Sequence, residues 1–182
     1  MKKVLVLVLI ALFALTSIAL AADVIVEGEA YTKEEGGSGQ KVGGRVGATG
    51  LMVTSWDNPG HAFEWEVDIP EDGSYKLVIR LCNGRAWTTY REVLIDGKHP
   101  SDAFKKVAII STGGFAKTSN DFINVTVSDA QGQPALVELT KGKHIVRMVN
   151  LGGDSGNGGT GIDRFGFLGK DVDPSVLGKS NY

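Results

Sequence analysis

The chain has 182 residues, 19 of them basic and 21 acidic, for a formal net charge of −2. That mild acidity speaks against nucleic-acid binding, which needs a basic footprint, and a single cysteine, Cys82, rules out an internal disulfide. The 25 glycines speak against a helical bundle.

Lys2 and Lys3 lead into an apolar run from Val4 to Leu20 that ends Ala19-Leu20-Ala21. Charged, apolar and small-residue regions in that order predict a secretory signal peptide over residues 1–21. Cleavage after Ala21 leaves 161 residues, the size of one domain, and removes two basic and no acidic residues, so the mature charge is −4. No second run approaches the roughly 20 apolar residues that span a bilayer. The expectation is a chain released outside the cytoplasm, secreted or periplasmic, with no membrane contact after cleavage.

Val24 to Ala30 reads as a first strand. Phe63, Trp65, Val67 and Ile69 alternate with Glu64, Glu66 and Asp68, and beyond Pro70 and the Glu71-Asp72-Gly73 turn, Tyr75, Leu77, Ile79 and Leu81 alternate with Lys76 and Arg80. Period-two alternation is the mark of a strand with one buried and one wet face, and two such runs around a tight turn predict a hairpin. Trp65 and Tyr75 fall on the buried side. Further strands are predicted at Val93–Ile95, Val107–Ile110, Ile123–Val127, Leu136–Leu139, Ile145–Leu151 and Ile162–Leu168. Eight or nine strands with no convincing helix predict an all-β antiparallel sandwich of jelly-roll type over residues 22–169. Two glycine-rich stretches, Glu34–Gly50 and Leu151–Gly161, are predicted as long connections, where a rigid β-scaffold tends to carry its binding groups. Residues 170–182 read as a loose tail.

Several local matches carry no function. Gly153-Asp154-Ser155-Gly156 looks like a protease serine neighbourhood but has no His context, and Gly178-Lys179-Ser180 lacks the earlier glycine of a phosphate loop. His61, His99 and His144 have no partner at metal-ligand spacing and are expected at the surface or in turns. Asn124-Val125-Thr126 fits a glycosylation sequon inside a strand pattern, and Cys82 reads as a small buried hydrophobe. Glu27 and Glu29 are different. Two positions apart on a strand, they share a face and repel unless a cation or basic group sits between them; calcium suits such hard oxygens, while a solvated acidic face is the plain alternative.

Six segments occur in one order: Glu27-Gly28-Glu29-Ala30-Tyr31; Val67-Asp68-Ile69-Pro70 followed by Gly73 to Arg80; Ile95-Asp96-Gly97; Ser111-Thr112-Gly113-Gly114-Phe115; Leu139 to His144; and Gly161-Ile162-Asp163-Arg164-Phe165. Together they resemble the carbohydrate-binding modules of families 6 and 35, which have the galactose-binding-like jelly roll. The resemblance implies a structural calcium site made by Glu27, Glu29 and Asp163, completed by a backbone carbonyl from the first glycine-rich connection. It also implies poly- or oligosaccharide binding through loop aromatics. Trp56, with Asp57 and Asn58 beside it, and Phe115 correspond to the family's ligand aromatics, because a pyranose lays its apolar face on a ring and its hydroxyls against fixed polar groups. Trp87, between Arg85-Ala86 and Thr88, is a further ligand candidate. The family often has tryptophan where Phe115 stands and asparagine where Gly161 stands; Asn157 or Asp154 of the same loop stand in for the latter.

The leading expectation is therefore a non-catalytic, calcium-stabilised carbohydrate-binding domain, with a separate carbohydrate-active enzyme as a further partner. One alternative is a scaffold or adhesion domain without a sugar site. Another is a small glycosidase or lyase using loop carboxylates such as Asp57, Asp121 and Asp154.

Overall fold

The structure, a computed structural model, describes residues 22–180; the expected signal peptide lies outside the described residues. The strands in chain order are β1 (Val24–Glu27), β2 (Lys33–Glu35), β3 (Gln40–Val42), β4 (Met52–Trp56), β5 (Ala62–Ile69), β6 (Gly73–Cys82), β7 (Thr89–Ile95), β8 (Val107–Ile109), β9 (Ile123–Thr126), β10 (Leu136–Leu139), β11 (Gly142–Gly153) and β12 (Thr160–Gly169). They form two antiparallel sheets. One runs β10-β6-β12-β4-β3, with β1 also on β12 and β9 also on β6; the other runs β2-β5-β11-β7-β8. The fold is the predicted all-β sandwich.

Inward-facing residues of both sheets fill the space between them. Trp65 of β5 packs edge-on to Phe165 of β12 at 5.2 Å between centroids, and Tyr75 of β6 packs edge-on to Phe167 at 6.5 Å. All four rings have no exposed surface. Trp65 Nε1 also donates to the Gly28 carbonyl at 2.9 Å, so its one polar atom is satisfied. Truncating a ring placed like Trp65 costs about 3–5 kcal/mol.

The predicted hairpin does not form. β5 pairs with β2 and β11, whereas β6 pairs with β12, β10 and β9, so the Pro70-Glu71-Asp72 connection crosses between sheets. Alternation tells which side chains face inward but not whether two strands lie side by side or face to face. Here they belong to different sheets.

Lys76 and Arg80, expected on a wet face, are 6% and 1% exposed. The segment that follows Gly169, expected to be loose, covers them. Leu177 packs on Val78 and Leu168, Lys76 Nζ donates to the Lys170 carbonyl at 2.9 Å, and Arg80 Nη1 donates to the Lys179 carbonyl at 3.0 Å. Asn124 Nδ2 donates to the Gly178 carbonyl at 2.8 Å, so the sequon asparagine is engaged in packing this segment. The stretch Glu34–Gly50 is also not all connection, since it contains β3 and the end of β2. Cys82 is buried as predicted, and burial pushes its thiol up to about 12.

Of the three register shifts that interrupt the regular alternation, one falls on β11 between Asn150 and Gly152 and two involve β12. Along β4 and β12, Trp56 faces Thr160 while Val53 faces Ile162, so β4 spends one residue more than its partner. The extra residue sits at Ser55, whose φ of 62° is left-handed. On β12 a second shift, between Ile162 and Arg164, falls at Asp163.

Candidate functional site

Four connections meet at one end of the sandwich: residues 57–61, 83–88, 110–122 and 154–159. They are knit together by the Gly158 N–H donating to the Asp57 carbonyl at 2.9 Å, Arg85 Nη2 to Asp57 Oδ1 at 3.0 Å, and Trp87 Nε1 to the Asn157 carbonyl at 3.1 Å. A cleft of about 260 Å³ opens among them, walled by Arg45, Ser55, Asp57, Arg85, Phe115 and Lys117. The half-buried Phe115 ring supplies its apolar wall, with the Arg85 guanidinium 5.8 Å from the ring centroid.

Glycines let these groups lie directly on backbone. A Cβ at Gly84 would overlap the Phe115 ring, and one at Gly159 would overlap Asp57 Oδ1 and come within 2.8 Å of Arg85 Nε. The glycine excess read from composition thus has a local use: close approach at the loop end. Gly161 has a different reason. A Cβ there would lie 2.5 Å from Met52 Sδ and 3.2 Å from Cys82 Sγ, so the space an asparagine would need is occupied by that pair.

Of the predicted ligand residues, the structure brings Asp57 and Phe115 into this cleft. Trp87 is half-buried and Asn157 exposed, and they touch each other in the adjoining loops without walling the cleft. Trp56 is a correction. It has no exposed surface, its Nε1 donates to the His61 carbonyl at 2.7 Å, Phe63 meets it edge-on at 5.2 Å, and Arg91 covers it at 4.1 Å. The bulge at Ser55 resets the strand's alternation, so that Trp56 joins Val53 on the inner face. The ring therefore presents no face to a ligand.

Arg91 is a residue that sequence reasoning missed, although its parity with Val93 and Ile95 places it on the inner face of β7. It is fully buried. Its guanidinium donates to the Tyr90 carbonyl at 2.8 Å, Asn150 Oδ1 at 3.1 Å and the Trp56 carbonyl at 3.4 Å, and also to the Gly158 carbonyl and Thr160 Oγ1. Burial lowers its pKa to about 9, against the opposing pull of Asp57. Arg91 ties the 154–159 connection to the end of β4, and so holds the cleft's frame. Arg45 and Lys117 carry no sequence signal, because each comes from a separate connection and only folding brings them together.

The other loop carboxylates are spoken for. Asp154 Oδ1 accepts from the Tyr90 hydroxyl at 2.6 Å, and Asp121 Oδ2 accepts from the Ala116 N–H at 2.7 Å. A larger groove of about 520 Å³ lies at the opposite end, beside Asp96, His99 and His144, and no Phe, Tyr or Trp lines it. Its histidines are held by Glu92 at 2.8 Å and Asp96 at 2.7 Å. His144 is 9% exposed and His61 not at all, so the expected surface placement of these two is corrected. His61 packs on Phe63 at 4.8 Å and meets Glu34 Oε1 at 2.8 Å.

The suspected calcium residues gather at the end of β1. The strand stops at Glu27 and a 3-10 turn takes Gly28–Ala30, so Glu27 and Glu29 are not related by strand alternation as predicted. They are nevertheless neighbours. Burial raises the Glu27 pKa, Arg164 opposes that rise, and the charges of Glu29 and Asp163 add to it. Glu27 Oε2 and Glu29 Oε2 are both buried without a hydrogen-bond partner, and such oxygens suit a hard cation. The Asp163 carboxylate is differently engaged: it accepts from Arg80 Nε at 3.1 Å and from the Thr49 N–H at 3.0 Å. Among the described residues no group of three acidic, histidine or cysteine side chains stands at metal-binding distance. The fit is therefore to the two glutamates, while Asp163 serves Arg80 and Thr49.

No family model matches the chain, and no curated protein matches it. Solved structures do. A family 35 carbohydrate-binding module from Clostridium thermocellum has 21% identity and a TM-score of 0.62 over 82% of this chain and 99% of its own. The CBM35 of Abf62 from Cellvibrio japonicus has 20% identity and a TM-score of 0.59 over 84% of this chain and 96% of its own. The C-terminal CBM6 of the laminarinase LamC from Zobellia galactanivorans has 14% identity and a TM-score of 0.54 over 81% of this chain and 99% of its own. The sandwich described above is thus the fold of family 35 and family 6 carbohydrate-binding modules.

Proposed function

We propose that this chain is a secreted, non-catalytic carbohydrate-binding domain whose ligand lies in the cleft between Phe115 and the Asp57–Arg85 pair. The observation that carries this reading is the juxtaposition there of a half-exposed ring with fixed polar groups on a glycine-floored surface. A pyranose needs both: an apolar face to cover and hydroxyls to orient. Solved structures of this fold that are named as carbohydrate-binding modules support the reading. Affinity in the millimolar to micromolar range follows, about −4 to −8 kcal/mol, since a sugar exchanges water hydrogen bonds for protein ones.

Calcium would be held by Glu27 and Glu29, tying the end of β1 to the chain around it; Asp163 would join only by releasing Thr49 or Arg80. Bound calcium would neutralise the paired glutamates and stabilise the fold, with no part in a reaction. A separate carbohydrate-active enzyme is the natural associate of such a domain, and the signal peptide would take the chain to the secreted or periplasmic space where its glycans are.

A second reading, a scaffold of this fold without a sugar site, is favoured by the burial of Trp56. Affinity electrophoresis of the whole chain and of Phe115→Ala through a panel of soluble polysaccharides separates the two. Retardation by a glycan that Phe115→Ala loses supports sugar binding. Unretarded migration in every gel, with calcium present, leaves the scaffold.

A further inference from the structure

We infer that Asp121, a buried carboxylate behind the cleft, is the residue that positions the Phe115 ring for its ligand. The inference rests on the sugar-binding reading above and adds to that site a positioning residue that does not itself wall the cleft.

Phe115 is followed by a residue in an unfavourable conformation. Ala116 has a φ of 53°, in the left-handed region that residues with a side chain avoid. Left to itself it would relax, and the loop would turn another way and take the ring with it. It is held there instead. Its methyl is fully buried with Met52, Cys82 and Phe122, its carbonyl accepts from the Val46 N–H at 2.9 Å, and its N–H donates to Asp121 Oδ2 at 2.7 Å. Of these ties only the last is a hydrogen bond to a side chain. Asp121 also grips the residue on the other side of Phe115: a Cβ on Gly114 would overlap Oδ2, so the carboxylate lies directly on the backbone there. The residues immediately before and after the ring are thus fixed by one side chain.

The surroundings of Asp121 say what it is for. It is 8% exposed, and its hydrogen-bond donors, the Ala116 N–H and the Ser119 hydroxyl at 2.7 Å each, are both neutral. A charge buried on neutral partners is costly to a fold, and here the partners lie in the connection that carries Phe115, outside the main core between the sheets. The ring itself is half-buried and rests on the Gly84 backbone. A ring that stacks on a sugar must be in place before the sugar arrives, because apparent affinity falls in proportion to the fraction of molecules that hold it elsewhere. The hydrogen bonds, not the charge, do the holding. An amide in the same place would accept from the Ala116 N–H with its oxygen and donate to the Ser119 hydroxyl oxygen with its nitrogen.

The test compares Asp121→Ala and Asp121→Val, which offer no acceptor, with Asp121→Asn, which does. Two readouts are taken on the whole chain: amide hydrogen exchange at Ala116, which needs no sugar, and affinity electrophoresis through laminarin, xylan, galactomannan and dextran with calcium present. The Ala116 amide is expected to be protected in the wild type and in Asp121→Asn. In the alanine and valine variants it is expected to exchange at least about tenfold faster, while the amides of β5 and β6 keep their wild-type rates. For whichever polysaccharide retards the wild type, affinity is expected to be about tenfold weaker in the alanine and valine variants, as when the ring is in place in about one molecule in ten. Asp121→Asn is expected to restore it. Unchanged protection of Ala116 or unchanged affinity in the alanine and valine variants overturns the inference and leaves the sugar-binding reading standing. Binding by Asp121→Asn as weak as by Asp121→Ala makes the charge the agent and also overturns it. So does loss of β5 and β6 protection, or failure of both acceptor-free variants to fold, which would make Asp121 a support of the whole sandwich. A wild type retarded in none of the gels removes the sugar-binding reading and this inference with it.

Discussion

Arg91→Lys should destabilise this protein more than Arg91→Met, although lysine keeps the charge. The fall of the buried guanidinium from its ordinary value to about 9 corresponds to a cost of about 5 kcal/mol for holding the charge in the interior. Five acceptors, three of them the carbonyls of Tyr90, Trp56 and Gly158, offset that cost. Lysine has at most three donors at a single point. It would carry a similar burial cost with about two fewer charged hydrogen bonds, a loss of about 3–5 kcal/mol. Methionine removes the burial cost altogether. Asn150 Oδ1 still accepts from the Gly152 N–H at 2.7 Å and the Trp56 carbonyl from Asn150 Nδ2 at 2.9 Å, so the main penalty is the Gly158 carbonyl, about 1–3 kcal/mol. For a domain of this size each kcal/mol moves the melting temperature by about 2–4 °C, so thermal denaturation should show a drop of about 6–20 °C for lysine and a smaller one for methionine. A lysine variant as stable as the wild type, or more stable than the methionine variant, would refute the reasoning that the two terminal nitrogens of the guanidinium hold this end together.

The other predictions concern strain, a titrating pair and calcium. Ser55→Val places a β-branched residue at a φ of 62° and should cost about 1–3 kcal/mol, whereas Ser55→Gly should melt close to the wild type; equal melting of the two would mean the bulge is not strained. Burial lowers the pKa of His144, but the Thr140 carbonyl and Asp96 outweigh it and leave the pKa raised above 6.5. The stabilisation from this pair is therefore fully present below pH 6.5 and is lost as pH rises through the folded-state value. Because Asp96 is half exposed, it amounts to about 1 kcal/mol at most. The melting difference between wild type and His144→Gln should shrink as pH rises from acid to mildly alkaline, and a difference that grows instead would contradict the assignment. Chelator should lower the melting temperature of the wild type but not of Glu27→Gln combined with Glu29→Gln. Calcium at a hundred times its dissociation constant supplies about 2.7 kcal/mol, or about 5–11 °C. Identical wild-type curves with and without chelator would reduce the two glutamates to a half-buried acidic pair.

Alternation makes the inner faces legible, which is why Trp65 and Tyr75 can be placed in the core from sequence. It fails where a single residue shifts register. One left-handed serine turns Trp56 from a supposed loop aromatic into a core ring, and nothing in the local sequence announces a bulge at Ser55. Pairing is equally hidden, since β5 and β6 have the pattern of hairpin partners but belong to opposite sheets. Alternation points to Glu27 and Glu29, yet a 3-10 turn is what brings them together, and Asp163 proves to be the partner of Arg80. The cleft is only half readable. Asp57 and Phe115 come from the family resemblance, whereas Arg45 and Lys117 meet them across three connections, a proximity that sequence order does not encode. Arg91 is the exception: its parity with Val93 and Ile95 puts a charge on an inner face, and that conflict is visible before folding.

The central claim is that a glycan occupies the loop end walled by Phe115 and Arg45. Chemical-shift mapping of the backbone amides during titration with soluble oligosaccharide fragments tests it most directly. The amides that shift are expected to cluster around Arg45, Asp57, Arg85 and Phe115, at fragment concentrations in the micromolar to millimolar range. Shifts confined to the opposite groove around Asp96, His99 and His144, or no shifts with any glycan at calcium saturation, would contradict it.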